Sequence, residues 1–564
     1  MGLPMIEITS DALFLSPNLN FRVSAGPGAG KTHWLVQHIL AITKKSGTLG
    51  KNRKVACLTY TNIGANTIIR RLGSAASNCF IGTVHSFLYK NIVKPYISLI
   101  AQEFGIIPNT LQGYDEAIIG DYEFLNQWKE KTKQKYLSDN EALVRAIGAT
   151  WWTLDKSGNT VLTNRPKKFI KVNDRFIKNG SAFIYKEMAW KRGVFHPDDI
   201  FYFSIKLLNE HPIVSVVLAA KFPYLFVDEF QDSNLLQVKI FQHFASIGIF
   251  LGIIGDTAQS IYGFSGASPR DFLGFKSPGI QDYVIRQNRR SSNEIINLLN
   301  YIRKDIQQLP VRNETKGLPE LLVGTKEAAR AYVETQVTNE AVMLSRNNQT
   351  VEGLRAPSPG STLPRLFGEM AKNDANFERR ELVRVLVTAI VQAKTLGLAH
   401  AVKNLPKVLE PSWGKEMARR YATVFLLEII AAYQSYENST LSEFIDYLRK
   451  ERSLTISGLA SGKSAKTFYD SYRFSDLAGQ VQADDRAGNR TIHKSKGDEF
   501  ENVLVFLHEE QIGILTKPDI FKEEEQRIIY VAFSRARDRL FVNIPTLSEG
   551  QRKALPNVID VKSV

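Results

Sequence analysis

The sequence predicts an α/β fold of buried parallel sheets, interrupted twice by mainly helical blocks. Short, uniformly apolar runs ended by Gly, Thr or Asp recur at residues 21–24, 55–58, 224–227, 249–254, 503–507 and 540–544. Runs this uniform fit strands covered on both faces, as in parallel sheets. Helical patterns lie between them, and that alternation defines the α/β class. Two stretches break the alternation. Residues 88–199 and 359–485 read as mainly helical, with 380–393 and 417–436 the clearest segments. The second block ends in a polar Gly/Ser/Asp-rich stretch, 457–489, which reads as a linker or mobile loop.

The chain has 564 residues, enough for about three to five domains. Hydrophobic residues make up 44% and charged residues 23%, the balance of a protein with real cores. Lys and Arg number 72 against 57 Asp and Glu, a formal charge of +15. That surplus suits a polyanionic partner, because neutralised phosphates release counterions; it also fits a solvated basic surface. Basic residues cluster at 166–168 and 171–178. The cysteines, Cys57 and Cys79, form no CxxC pair, which argues against zinc, iron–sulfur or disulfide frameworks. The start of the chain lacks the basic and long apolar segments of a signal peptide, and the best apolar run, 247–254, is too short for a bilayer. The expectation is a soluble, cytoplasmic protein with no membrane partner.

The first chemical signal is AGPGAGKT at 25–32, between a strand run and a helical pattern at 33–41. Ala25, Gly26, Gly28, Ala29 and Gly30 are small enough for backbone N–H groups to wrap phosphates at a helix N-terminus. Lys31 is placed to reach the β- and γ-phosphates of a nucleotide and Thr32 to hold Mg²⁺. DEFQD at 228–232 follows the strand run 224–227. Asp228 can ligate Mg²⁺ there and Glu229 can orient or deprotonate the attacking water; an acidic pair after a strand also fits a solvated turn. GDTAQSIYGF at 255–264 puts Gln259 and two aromatics at another strand end, where open α/β sheets bind ligands and where a polar turn over buried aromatics is equally at home.

Further segments follow in order: LTYTN at 58–62, GTVHSF at 82–87, HPDDI at 196–200, RQNRRS at 286–291, AVMLSRN at 341–347, TIHKSKGDEF at 491–500 and EEEQRIIYVAFSRA at 523–536. Together with the phosphate loop and the acidic pair, this series resembles the superfamily 1 helicases of the UvrD/Rep/PcrA type over residues 21–540. The resemblance implies two RecA-like domains, each carrying a helical insertion, with ATP and Mg²⁺ between them. On this chain the first core is 1–87 plus 200–286, with 88–199 inserted. The second is 287–358 plus 486–564, with a reduced insertion at 359–485. Arg290 and Arg535 are then the cations that cross to the γ-phosphate, as planar guanidinium groups suit spreading phosphoryl charge. Gln259 senses the γ-phosphate and Glu499 touches the ribose. Single-stranded DNA, or DNA with a single-stranded tail, is the implied partner. Tyr60 and Phe264 stand where the family stacks bases, and Thr61, Asn62, Thr83, His85, Thr491 and His493 stand where it contacts the strand. The implied activity is ATP-driven movement, 3′ to 5′.

The chain departs from the family at four points. No Gln precedes Lys31, and Arg289 stands where the family has an adenine-stacking Tyr; relaxed preference for ATP over GTP is expected. Ser265 replaces the Arg after the stacking aromatic, and no aromatic follows Phe541, where the best-known members carry a strand-separating hairpin. The size and reduced second insertion resemble the helicase subunit of Gabija-type anti-phage systems. That likeness implies a second reading, a DNA-stimulated ATPase acting as a sensor beside an OLD-like nuclease subunit.

Overall fold

The computed structural model describes residues 5–12, 18–50, 52–111, 113–114, 119, 122–164, 171–172, 175–178, 180–346, 366–395, 398–402, 405, 409, 415–452, 454, 456–460, 462–486 and 490–564. The basic run at 166–168 and the boundary expected at 358–359 lie outside them. By contacts the chain forms two compact units, Met1–Asn348 with Arg490–Val564, and Gln349–Asn489.

The first unit holds two all-parallel sheets. One has seven strands in the order Ile6–Glu7, Gln281–Ile285, Phe21–Ala25, Phe250–Gly255, Tyr224–Val227, Val55–Thr59, Cys79–Thr83. Alternate residues of these strands enter opposite cores. Val55, Cys57, Tyr224 and Phe226 face the helix Lys31–Lys45, whereas Ala56, Leu58, Leu225 and Val227 pack with Phe203 and Phe241. Burial on both faces is why the strands read as unbroken apolar runs. The other sheet has six strands, Arg490–Thr491, Val342–Ser345, Phe500–Phe506, Ala536–Ile544, Glu320–Val323, Asp560–Ser563. The expected α/β class with parallel sheets is borne out. The central strands Phe21–Ala25, Phe250–Gly255 and Tyr224–Val227 are neighbours, so the loops at their carboxyl ends, at 26–30, 256–264 and 228–234, meet in one place.

Residues 88–199 are less purely helical than expected. Besides the helices Tyr122–Lys131, Asn140–Gly148 and Ser181–Lys191, they contain an antiparallel hairpin, Thr150–Leu154 with Thr160–Asn164, and a short pair, Lys171–Val172 with Arg175–Phe176. The hairpin turn has a local cause. Asp155 accepts from the N–H groups of Ser157 at 2.8 Å and Asn159 at 2.9 Å, and Gly158 takes φ +81°. The flanking Trp, Thr, Val and Leu residues are strand formers. Lys239 anchors the turn by donating to the Gly158 carbonyl at 2.7 Å.

A buried polar knot ties this segment to the helix Pro197–Glu210. The fully buried Asp199 accepts from Trp152 Nε1 at 2.9 Å, Trp190 Nε1 at 2.8 Å and the His196 N–H at 2.9 Å. Lys186 Nζ pairs with Asp199 at 2.9 Å and donates to His196 Nδ1 at 3.0 Å. Burial alone would raise the Asp199 carboxyl, but Lys186, His196 and the Trp190 indole hold it far below the usual carboxylate range.

The second unit is helical, with Leu366–Asn373, Phe377–Thr395, Lys415–Ala431 and Leu441–Lys450 among its elements. The expected linker at 457–489 is largely structured: helices Ser464–Ser471 and Phe474–Arg486 bury Phe468, Tyr469, Phe474, Leu477 and Val481 in the unit's core. The Gly/Ser/Asp content hid this helical spacing of apolar residues. Arg379 braces the unit through the buried Asp374, which also accepts from the Tyr469 hydroxyl at 3.0 Å.

Asp199→Ala is expected to cost about 3–5 kcal/mol, because it strands a buried Lys186 ammonium; urea denaturation followed by circular dichroism measures it. Because the folded carboxyl is depressed, its contribution is complete above the unfolded value of about 4 and is lost as pH falls below it. The gap between wild type and variant should therefore shrink in acid.

Candidate functional site

The strand Phe21–Ala25 runs into the loop 26–30 and the helix Lys31–Lys45. Gly28 and Gly30 take φ +70° and +81°. A Cβ on Gly28 would lie 2.5 Å from Asn288 Oδ1 and 2.7 Å from Arg290 Cβ, so both conformation and space require glycine there. The loop is held from the segment after the first sheet: Gln308 Nε2 donates to the Pro27 carbonyl at 2.8 Å and the Arg289 N–H donates to the Gly28 carbonyl at 2.9 Å. Lys31 is nearly buried and donates to the Ala25 and Gly26 carbonyls at 3.3 and 3.2 Å.

Asp228 and Glu229 follow the strand Tyr224–Val227. Thr32 Oγ1 donates to Asp228 Oδ2 at 3.3 Å. Burial, with Glu229 alongside, raises the Asp228 carboxyl. Glu229 goes the other way: desolvation opposes its charge, but Lys31, Lys496, the Gln231 amide and Arg535 together lower it. Glu229 sits at φ +57°, a strained setting for a residue with a Cβ. A hydroxyl beside one carboxylate suits Mg²⁺, which keeps phosphate and water among its ligands. The glycine-demanding loop, the buried ammonium and this pair fit a nucleotide triphosphate with its metal.

Gln259 lies on the loop after the strand Phe250–Gly255. Its Nε2 donates to Asp256 Oδ2 at 2.7 Å and its Oε1 accepts from Arg535 Nη2 at 2.7 Å. Arg535 is buried, donates also to the Val531 and Asp498 carbonyls at 3.1 Å, and is pulled down to about 9 by burial and the nearby Arg290. Arg290 pairs with Glu499 at 2.8 Å and donates to the Ser534 carbonyl at 3.0 Å. Arg289 donates to Ser10 Oγ at 2.9 Å and pairs with Asp11 at 2.5 Å, and His33 meets the same Asp11 at 3.3 Å. Lys31, Thr32, Glu229, Gln259, Arg289, Arg290, Glu499 and Arg535 all line one cleft of about 910 Å³, rimmed further by Arg71, Arg490 and Arg537.

The residues expected to touch a strand are less uniform. Thr61 and Asn62 are exposed, Thr61 capping the helix Asn62–Leu72 by accepting from the Gly64 N–H at 3.0 Å. Phe264 is 60% exposed and packs edge-on to Tyr262 and His493 at 5.7 and 6.0 Å. Burial lowers His493, and its Nε2 lies 3.3 Å from the Ile261 carbonyl. Tyr60 is half-buried against the first core, its hydroxyl bonded to Ser233. Thr83 caps the helix Val84–Leu88 through the Ser86 N–H at 3.2 Å. His85 packs on Phe201 at 4.5 Å, and burial drops it to about 4, so it is neutral near pH 7. Thr491 is buried.

Sequence reasoning missed several neighbours. Lys496 pairs with the buried Asp232 and donates to the Gln259 carbonyl at 2.9 Å. Burial, countered by Lys496, leaves Asp232 at about 7. Asp232 lies in the segment 228–232 and Lys496 in 491–500, and opposite charge could have paired them. Asn288 Oδ1, which accepts from the Arg290 and Ser291 N–H groups at 2.9 and 3.0 Å, was likewise within reach. Arg303 and Gln308 carried no motif signal.

Two family models and several known proteins match this chain. The UvrD/REP helicase N-terminal domain matches residues 8–278 and the UvrD-like helicase C-terminal domain matches 475–545. The chain is 24% identical to Gabija protein GajB of Bacillus cereus (strain HuB5-5), over 52% of this chain and 48% of that protein. It is 23% identical to the putative ATP-dependent DNA helicase YjcD of Bacillus subtilis (strain 168), over 94% and 77% of the two chains. Identity to the ATP-dependent DNA helicase PcrA of the same strain is 28%, over 50% and 37%. The match thus spans about half the length of GajB and less of PcrA. Among the described residues no single helix is long and apolar enough to cross a membrane. On the two domain matches, and on relatives that run through both sheets, the chain belongs to the UvrD/REP helicase family.

Proposed function

We propose that the chain is an ATP-dependent single-stranded DNA translocase of the helicase type. The observation that carries this reading is the convergence of Lys31, Glu229, Gln259, Arg290 and Arg535 on one cleft, a few residues from the exposed Phe264. The first core would be 1–87 with 200–286 and the second 287–358 with 486–564, bearing insertions at 88–199 and 359–485.

Residues 25–30 and Lys31 would hold the phosphates, with Thr32 and Asp228 on Mg²⁺. ATP supplies the scissile phosphoanhydride and Mg²⁺ draws charge from its oxygens. Glu229, kept ionised by its cationic neighbours, accepts a proton from the attacking water. Arg290 and Arg535 balance charge spreading over the γ-phosphate. Gln259, hydrogen-bonded to Arg535, reports the state of that end of the cleft to the loop that carries Tyr262 and Phe264. Glu499 would face the ribose. Phe264 offers a base-stacking face, and Tyr60, Thr61, Asn62, Thr83, His85, Thr491 and His493 would line the strand path. Polarity 3′ to 5′ follows from family resemblance.

Similarity to GajB favours a second reading, a DNA-stimulated ATPase that serves as sensor beside an OLD-like nuclease subunit in a cytoplasmic anti-phage complex.

Single-stranded DNA should stimulate ATP turnover at least about tenfold, and Glu229→Gln should lower kcat by about 10²–10⁴-fold while nucleotide still binds. A coupled phosphate-release assay with oligothymidylate checks both; turnover indifferent to DNA would defeat the motor reading. Arg289 gives the base a guanidinium rather than an aromatic face, so GTP should be turned over within about tenfold of ATP, a discrimination below about 1.4 kcal/mol. Side-by-side turnover at equal concentration measures it. A strand-displacement assay on a long blunt duplex should show little unwinding. Robust unwinding by the chain alone would count against the sensor reading.

A further inference from the structure

The loop between Gly255 and Phe264 grows from the first sheet but is packed into the second core, where Ala258 and Ile261 are fully buried with Leu298, Leu299 and Tyr530. One buried ion pair fastens the same loop. Asp256 is fully buried; its Oδ1 accepts from the Ala258 N–H at 3.1 Å and from Arg303 Nη1 at 2.5 Å, and its Oδ2 accepts from Gln259 Nε2 at 2.7 Å. Arg303 follows the helix Asn293–Ile302, is 1% exposed, and is braced on its other edge by Asp305 at 2.7 and 3.0 Å.

This arrangement fixes the orientation of the Gln259 amide. With Nε2 on the carboxylate, Oε1 must face Arg535, and it accepts there at 2.7 Å. The flipped amide would set its oxygen against Asp256 and its NH₂ against a guanidinium, losing both hydrogen bonds inside a buried site. The Asp256 carboxylate can orient the amide only while it is charged, and a carboxylate this buried needs a cation beside it. Arg303 is the guanidinium that supplies it.

We propose that Arg303 is a positioning residue that acts through Asp256 to aim the Gln259 amide at Arg535 and to fasten residues 256–263 to the second core. This rests on the reading of Gln259 given above. The test follows backbone hydrogen exchange of residues 256–263 in the nucleotide-free protein, with DNA-stimulated kcat and nucleotide affinity measured on the same samples. In Arg303→Met, exchange in that segment should quicken at least about tenfold and kcat should fall at least about tenfold. Nucleotide Kd should stay within about twofold, since Asp256 and Arg303 do not line the cleft. Arg303→Lys keeps the cation and should recover most of both. Because Arg303→Met leaves Asp256 buried and uncompensated, the double variant Asp256→Asn with Arg303→Met provides a folded neutral control, in which kcat stays low. Wild-type exchange together with kcat within about threefold of wild type, in either folded variant lacking the guanidinium, overturns the assignment. A wild-type chain without nucleotide turnover would instead sink the functional reading, and the exchange comparison alone would then decide whether Arg303 holds the loop.

Discussion

Asp228, Asp232 and Asp256 sit at the ends of two adjacent strands with almost no access to water. Left alone, each ionised carboxylate would cost several kcal/mol. The compensating cations come from elsewhere in the chain. Lys31 arrives on the helix after the glycine loop, Lys496 from 264 positions beyond Asp232, and Arg303 from 47 positions beyond Asp256. Two of the three cations, Lys496 and Arg303, thus reach acids of the first sheet from beyond it. The cleft and the seam between the cores are two aspects of one electrostatic requirement.

The same balance separates the two neighbouring acids. Lys31 lowers both, but Lys496 and Arg535 add to its effect on Glu229, whereas burial and the adjacent Glu229 charge outweigh it at Asp228, so Glu229 is lowered and Asp228 raised although they are consecutive. Glu229 holds the left-handed φ of +57° that residues with a Cβ seldom adopt, and its carboxylate accepts from the Gln231 amide.

Much of this was legible in the sequence where a residue's chemistry and its local element coincide. The strands could be read because burial on both faces leaves a continuous apolar run. The nucleotide residues could be read because a glycine loop must sit between a strand and a helix. The hairpin at Thr150–Asn164 was missed although Asp155, Ser157, Gly158 and Asn159 spell a turn between strand formers, because the surrounding helical pattern dominated the region. Helices Ser464–Ser471 and Phe474–Arg486 were hidden by polar composition that covers only their outer faces. Arg303 could not have been found at all, since its partner is fixed by packing and not by spacing. The strand-contact candidates divide for a similar reason: a Thr or Tyr in a strand-end loop reads the same whether it faces solvent or, like Tyr60 and Thr491, is drawn inward by a neighbour.

The loop that begins at Gly255 belongs to one sheet by chain connection and to the other by packing, with Ala258 and Ile261 buried among the second core's apolar residues. Removing it would leave a hole in that core, and withdrawing it would expose two apolar side chains and unpair Asp256 from Arg303. The free energy of each sheet's interior thus depends on the presence of the other. The loop is a shared part of both interiors, and what loosens it in one sheet loosens packing in the other.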